Sequence, residues 1–187
     1  MELTEGLKTR RTIHKFKDED IDPAVIERAI ECAVLAPNHK MTEPWHFHVV
    51  QGEAKEQLSR RRGELKSAAQ GGPDTEKGAK VYEKAYHGMA DVPFVVAVST
   101  KTSIEDPVLD QEDRAATACA VQNFMLSAWS EGVGCFWGSG PLLKDEVTKN
   151  TLGLGADEEV IAMLFIGVPE VIPSVKERSF TNAVTWH

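Results

Sequence analysis

Two runs of the chain carry no polar side chain at all: Phe94-Val95-Val96-Ala97-Val98, and residues 160–168, Val-Ile-Ala-Met-Leu-Phe-Ile-Gly-Val. Unbroken β-branched and apolar runs of this length predict strands covered on both faces, and Pro169 stops the second. Elsewhere the pattern has a period. Val25, Ile26, Ala29, Ile30, Ala33 and Val34 recur with helical spacing up to Pro37. Asp22-Pro23 supplies the start, a capping side chain followed by proline at the first helical position. Residues 3–11 predict a short helix with Thr4 as candidate N-cap. A strand is expected at Phe47-His48-Val49-Val50, leaving a turn at Pro44. A charged, largely exposed helix is expected over 54–69, then a surface loop at Gly71-Gly72-Pro73-Asp74 and a second helix over about 75–87. Residues 111–131 leave few positions for a polar face, so this helix is expected to be buried on most sides, by its own sheet or by another subunit. Gly132 and Gly134 end it, and Cys135-Phe136-Trp137 begins a short strand. The tail 170–187 has apolar residues but no core of its own.

Helices and strands mingle without regular βα alternation, which favours an α+β fold with 94–98 and 160–168 as central strands. Nothing divides the 187 residues, and one domain over 1–187 is expected. Apolar content of 42% and charged content of 27% are those of an ordinary globular chain. The formal charge of −8 argues against general nucleic-acid binding, which relies on clustered cations. No apolar run approaches a membrane span of about 20 residues. The N-terminal MELTEGLKTRR lacks an apolar signal core, so a cytoplasmic location is expected. Cys32, Cys119 and Cys135 have neither zinc nor redox-pair spacing, and are expected to be buried, reduced thiols.

Candidate chemistry concentrates in a few segments. Arg10-Arg11-Thr12 sets two guanidiniums beside a hydroxyl, a grip suited to a phosphate and a polar ring edge, though a basic pair is as often plain solvated surface. Ala36-Pro37-Asn38-His39-Lys40-Met41-Thr42-Glu43-Pro44-Trp45-His46-Phe47 is a loop pinned by two prolines between a helix end and a strand. Its His39 is equally compatible with capping a backbone group. His46 and His48 alternate on a strand without a third ligand, so no metal site is expected. In Trp137-Gly138-Ser139-Gly140 the glycines allow close backbone approach to a flat ring. The chain carries no Rossmann fingerprint, Walker motif or nucleophile elbow.

Together, Arg10-Arg11-Thr12, the 36–47 loop, Phe136-Trp137-Gly138-Ser139-Gly140 and Ile166-Gly167-Val168-Pro169 resemble the flavin-dependent nitroreductase family, most closely its small single-domain members. The resemblance implies a mostly antiparallel central sheet flanked by helices, and an intertwined homodimer with flavin mononucleotide (FMN) at its interface. It implies that Arg10, Arg11 and Thr12 hold the FMN phosphate and ribityl chain, with Thr12 where serine is usual. It also implies that Leu35 touches the chain through its backbone, and that Trp137, Gly138 and Ser139 lie along the ring. His39 would approach the flavin of the other subunit, and Lys176 or Arg178 in the tail would face the phosphate. No side chain is then a catalytic acid, base or nucleophile, because the chemistry belongs to FMN. NADH or NADPH would reduce the flavin, which would reduce a nitroaromatic, quinone or similar small acceptor by two electrons. Other flavin chemistries of the superfamily (dehalogenation, enone reduction, flavin cleavage) and non-catalytic flavin binding remain as alternatives.

Overall fold

A computed structural model describes residues 1–187. Six helices, α1 (Leu3–Thr9), α2 (Pro23–Ala33), α3 (Gly52–Ala68), α4 (Glu76–Ala90), α5 (Pro107–Ser130) and α6 (Glu146–Leu152), surround four strands. The strands are β1 (Trp45–Val50), β2 (Phe94–Lys101), β3 (Gly134–Gly138) and β4 (Glu158–Gly167). They form one antiparallel sheet in the order β1-β2-β4-β3. The two runs without polar side chains are therefore the two inner strands, as their pattern requires.

Each sheet face has its own helical cover. On one face, α2 and α5 pack over Val96, Val98, Ala162, Leu164 and Ile166, with Phe124 fully buried between helix and sheet. On the other, α3 and α6 cover Val95, Ala97, Val160, Met163 and Phe165, with α4 lying against α3. Asp22 accepts a hydrogen bond from the Ala24 amide at 3.0 Å, with Pro23 at the first helical position of α2. At α1, Glu2 rather than Thr4 is the flanking residue, and no side chain caps the helix. α5 begins four residues before the expected start, because Asp106 caps the Leu109 amide at 3.1 Å ahead of Pro107.

The cysteine expectation needs correction. Cys135 is buried, but Cys32 and Cys119 are exposed. Both sit on turns of α2 and α5 that point away from the sheet. The same outer surface carries Val34, Leu35, Met41 and Val108, large apolar side chains left open to solvent. The tail 170–187 is exposed throughout, including Ile172, Phe180 and Trp186.

Outside β3, residues 12–16 run alongside the sheet edge. Thr12 bridges Cys135 in parallel, and the Ile13 amide donates to the Cys135 carbonyl at 3.1 Å. Further along, the Lys17 amide donates to the Val168 carbonyl at 2.9 Å. Two glycines make this approach feasible. A Cβ at Gly134 would overlap Ile13, and one at Gly167 would lie 2.6 Å from the Phe16 ring.

Candidate functional site

Arg10 is the residue at which α1 ends. Its amide still donates to the Gly6 carbonyl at 2.9 Å, while its φ of −54° and ψ of 131° turn the chain into the extended edge segment. Arg11 folds back over the helix end, where unpaired carbonyls attract a cation. Its Nη2 donates to the Lys8 carbonyl at 2.8 Å and its Nη1 to the Arg10 carbonyl at 2.5 Å. What remains is unusual: Nη1 of Arg10 and Nε of Arg11 are buried with no hydrogen-bond partner. Neither guanidinium has a carboxylate beside it. Burial, the largest influence, lowers the pKa of Arg10, and the neighbouring charges of Arg11 and Arg178 act in the same sense. The tail thus brings Arg178 within electrostatic reach of Arg10. The Lys176 side chain stays in solvent.

The β3 edge supplies the adjoining wall. The Thr12 residue is exposed on that edge, and Cys135 beneath it is a thiol whose pKa burial pushes up to about 12. Strand alternation sends neighbouring side chains to opposite faces. Trp137 therefore joins Cys135 on the α2/α5 face, where its indole Nε1 donates to the Ile161 carbonyl at 3.4 Å. Phe136 and Gly138 face the α3 side and line a cavity of about 250 Å³ with Ser139 and Gly140. A Cβ at Gly138 would lie 2.8 Å from the Phe165 ring, so this wall stays open only with glycine. Of the three residues expected along the ring, Gly138 and Ser139 share a cavity, while the Trp137 indole turns away from it.

The 36–47 loop is held from within and from α5. Asn38 Oδ1 accepts from the Glu43 amide at 3.1 Å, and Thr42 Oγ1 donates to Asp113 Oδ1 at 2.6 Å. Asp113 is only 2% exposed. Three non-glycine residues in the loop, Lys40, Met41 and Glu43, have φ of 52°, 56° and 43°. Left-handed backbone at such residues is strained and persists where surrounding contacts over-determine it. His39 Nδ1 lies 3.7 Å from Glu112 Oε2 on the outer surface, and Leu35 nearby is 79% exposed. Within one chain neither bonds to Arg10 or Arg11. His46 and His48 do share a face, with ring centroids 4.2 Å apart, and His48 pairs with Ser99 Oγ at 3.0 Å.

Several side chains of the site gave no signal in the sequence. A second cavity of about 580 Å³ adjoins the first beneath α3 and α4, sharing Arg62, Lys66, Phe136 and Phe165. His14 tilts onto Phe136 with a centroid separation of 4.7 Å. Arg62 lies 5.0 Å over the Phe165 ring and donates Nη1 to the Ala85 carbonyl. The alternation Thr12, His14, Phe16 along an extended segment is the one pattern that could have pointed to His14.

The chain resembles known proteins in both sequence and fold. The sequence model of the nitroreductase family matches residues 7–168. YfhC of Bacillus subtilis (strain 168), which carries a provisional NAD(P)H nitroreductase name, is 34% identical over 179 residues, covering 95% of this chain and 89% of its own. The crystal structure of a nitroreductase-like family protein from Bacillus cereus superposes with a TM-score of 0.84 at 28% identity, covering 100% of this chain and 96% of that one. The FMN- and NADPH-dependent nitroreductase NfnB from a Sphingopyxis strain (HMH) shares the fold, with a TM-score of 0.74 at 20% identity, covering 100% of this chain and 99% of NfnB. Matched along most of its length by sequence and along all of it by fold, the chain belongs to the nitroreductase family.

Proposed function

We propose that this protein is an FMN-dependent oxidoreductase that takes electrons from NADH or NADPH and delivers them, two at a time, to a nitroaromatic, quinone or similar acceptor. One observation carries the reading. Two buried guanidinium nitrogens, Arg10 Nη1 and Arg11 Nε, have no acceptor in a chain whose net charge is −8. An unsatisfied buried donor costs about 1–3 kcal/mol, more when charged, so such a pair calls for an anionic ligand. A phosphate matches guanidinium geometry, and Arg178 adds a third cation from the tail.

The rest of the chain fits the same group. Thr12 offers a hydroxyl beside the phosphate grip, and Leu35 a backbone contact. The backbone of Trp137, Gly138 and Ser139 offers a flat wall with no Cβ at its centre. Bound there, FMN would supply the two-electron exchange between nicotinamide and acceptor in alternating half-reactions. The protein's part is affinity at the phosphate, a covered face along β3 and an open face toward the cavities. Solvent supplies the protons, and no side chain is asked to act as general acid or base.

The reading includes a homodimer. Leu3, Leu7, Val34, Leu35 and Met41 are exposed apolar side chains, and the tail adds Ile172, Val175, Phe180 and Trp186. A symmetric interface would bury both sets at once and bring His39 of the partner subunit toward the cofactor. The deciding experiment is the absorption spectrum of the purified protein, kept anaerobic, before and after NADPH. A flavin band that bleaches within seconds is expected. A colourless protein that takes up no FMN would overturn the proposal, and a yellow protein that NADPH and NADH cannot bleach would reduce it to flavin binding.

A further inference from the structure

The proposed chemistry leaves two neighbouring histidines unused. His46 and His48 lie two residues apart on β1, and strand alternation puts both on the α3/α6 face with Val50. Their rings are 4.2 Å apart between centroids and tilted by 36°. The sheet brings them a carboxylate that lies far away in sequence: Glu158, at the start of β4, places Oε1 3.8 Å from His46 Nδ1. His48 Nε2 lies 3.0 Å from Ser99 Oγ on the neighbouring strand β2. The two rings therefore have unequal surroundings. The His46 side chain is 64% exposed with a carboxylate beside it, whereas His48 is half-buried against a neutral hydroxyl.

Few charges act on His48. Burial is the largest influence and lowers its pKa, the charge of His46 acts in the same sense, and Glu158 opposes both. Helices α3 and α6 cover this face with Ala54, Leu58, Val147 and Leu152, all apolar. Lys101, the one charged residue of β2, is exposed, and α5 packs on the opposite face, where Phe124 stacks on Phe47. A first proton goes to His46, where water and Glu158 receive it. A second, on His48, sets two cations ring against ring, one of them half out of water, with a single carboxylate to offset them. β1 is poorly placed to bear this. It is an outer strand, paired on one side only, and it begins directly after the 36–47 loop, whose Pro44 carbonyl accepts from the Lys101 amide at 2.9 Å.

We propose that His46 and His48 form a pH-responsive latch: with at most one proton between them they hold β1 against β2, and a second proton loosens the start of the strand together with the loop that carries His39. The sign follows from linkage. Above the ordinary histidine value of about 6.5, neither the folded nor the unfolded chain holds the His48 proton, and the group contributes no slope. Below it the unfolded chain takes the proton and the folded one resists, so stability falls as pH falls. The latch needs no flavin, so its failure and that of the oxidoreductase reading are separate results.

The test combines an NMR titration of the histidine rings in the whole protein, from pH 8 to pH 5, with hydrogen exchange of residues 38–50. The His48 ring should titrate below the ordinary range. In His46→Gln, a change at an exposed side chain, its titration should shift upward, because a like charge has gone. Once corrected for the pH dependence of intrinsic exchange, protection of 38–50 should be lost at pH 5 relative to pH 7.5, and by more than in β2 or β4. His48→Gln keeps a group able to bond Ser99 but takes no proton, and should retain that protection. His46→Gln should retain most of it. Rings that titrate independently of one another would overturn the latch. So would protection that is the same at both pH values, or a loss as large in both glutamine variants as in wild type.

Discussion

Thr42 and Asp113 lie 71 residues apart in sequence and 2.6 Å apart in space, joined by a hydrogen bond from the threonine hydroxyl to the buried carboxylate. The bond fastens the 36–47 loop to α5 at the point where the loop's backbone is least relaxed. Asp113 in turn belongs to a polar seam in the core: its carbonyl accepts from Thr117 Oγ1 at 2.9 Å, and Thr117 Oγ1 is also hydrogen-bonded to Thr100 Oγ1 on β2 at 2.9 Å. The loop that carries His39 is therefore tied, through Asp113 and Thr117 of α5, to a central strand.

Removing the hydroxyl while keeping the shape isolates that tie. Thr42→Val leaves a buried carboxylate with no side-chain donor, and should destabilise the protein by about 1–3 kcal/mol. Urea unfolding measures this directly. The loop's strained residues also lose their restraint, so proteolytic cleavage within 38–44 should quicken by more than the global stability change explains. An unchanged unfolding midpoint with unchanged cleavage would show that the bond anchors nothing.

The phosphate grip makes a graded prediction. Arg10→Ala removes a half-buried guanidinium from the proposed anion site, at about 1.5–3 kcal/mol per charge-assisted bond lost, so FMN affinity should fall by at least about tenfold. The protein should purify pale. Arg178→Ala should weaken FMN less, since Arg178 is exposed in the tail, and Lys176→Ala should leave it unchanged. Fluorescence titration of FMN into flavin-stripped protein ranks the three. Full flavin content in Arg10→Ala, at wild-type affinity, would remove Arg10 from the site.

Cys135 gives a pH dependence with a definite sign. In the folded chain burial holds the thiol pKa up at about 12, whereas an unfolded cysteine ionises near about 8.5–9. Below that range both states carry the proton and the group contributes no slope. Above it only the unfolded state gives up the proton, so stability falls as pH rises, by about 1.4 kcal/mol per unit up to the folded pKa. Other groups also titrate there, so the quantity to measure is the difference between wild type and Cys135→Ala. The alanine variant should be less stable at pH 7 and should close the gap between pH 9 and 11. Parallel curves over that range would contradict the burial of the thiol.

The sequence made the sheet legible and the cleft illegible, for one physical reason. β2 and β4 are covered on both faces over 94–98 and 160–167, so those positions are all apolar and the strands announce themselves. α3 buries Ser59, Gly63 and Ser67 beside Leu58, small residues that let Tyr82 of α4 lie against Gly63. No apolar stripe marks that face, and Arg62 between them reads as solvated although it sits over Phe165. The Arg10-Arg11 pair was legible as a candidate, but only burial separates an unpaired guanidinium from a surface one. At β3 a period of two was available to assign Trp137 and Phe136 to opposite faces. The glycines on either side of the pair drew attention to the backbone instead.

The proposed dimer would link the two halves of the site, and it can be tested without a second structure. Within one chain, Arg10 sits beside the β3 edge, while His39 faces outward near Glu112 and the exposed Leu35. If the apolar tail and the open surface of α2 and α5 pair across a two-fold axis, each cofactor site draws Arg10 from one subunit and His39 from the other. Arg10→Ala and His39→Ala homodimers then have two singly damaged sites each. A mixed dimer of the two variants has one intact site and one doubly damaged site, and should hold close to half the wild-type flavin and activity. If both residues acted within one subunit, mixing would restore nothing. Sedimentation supplies the independent check: a dimer is expected at micromolar concentration, and deletion of residues 170–187 should shift it toward monomer. A flavin-loaded wild-type monomer under those conditions would end the proposal.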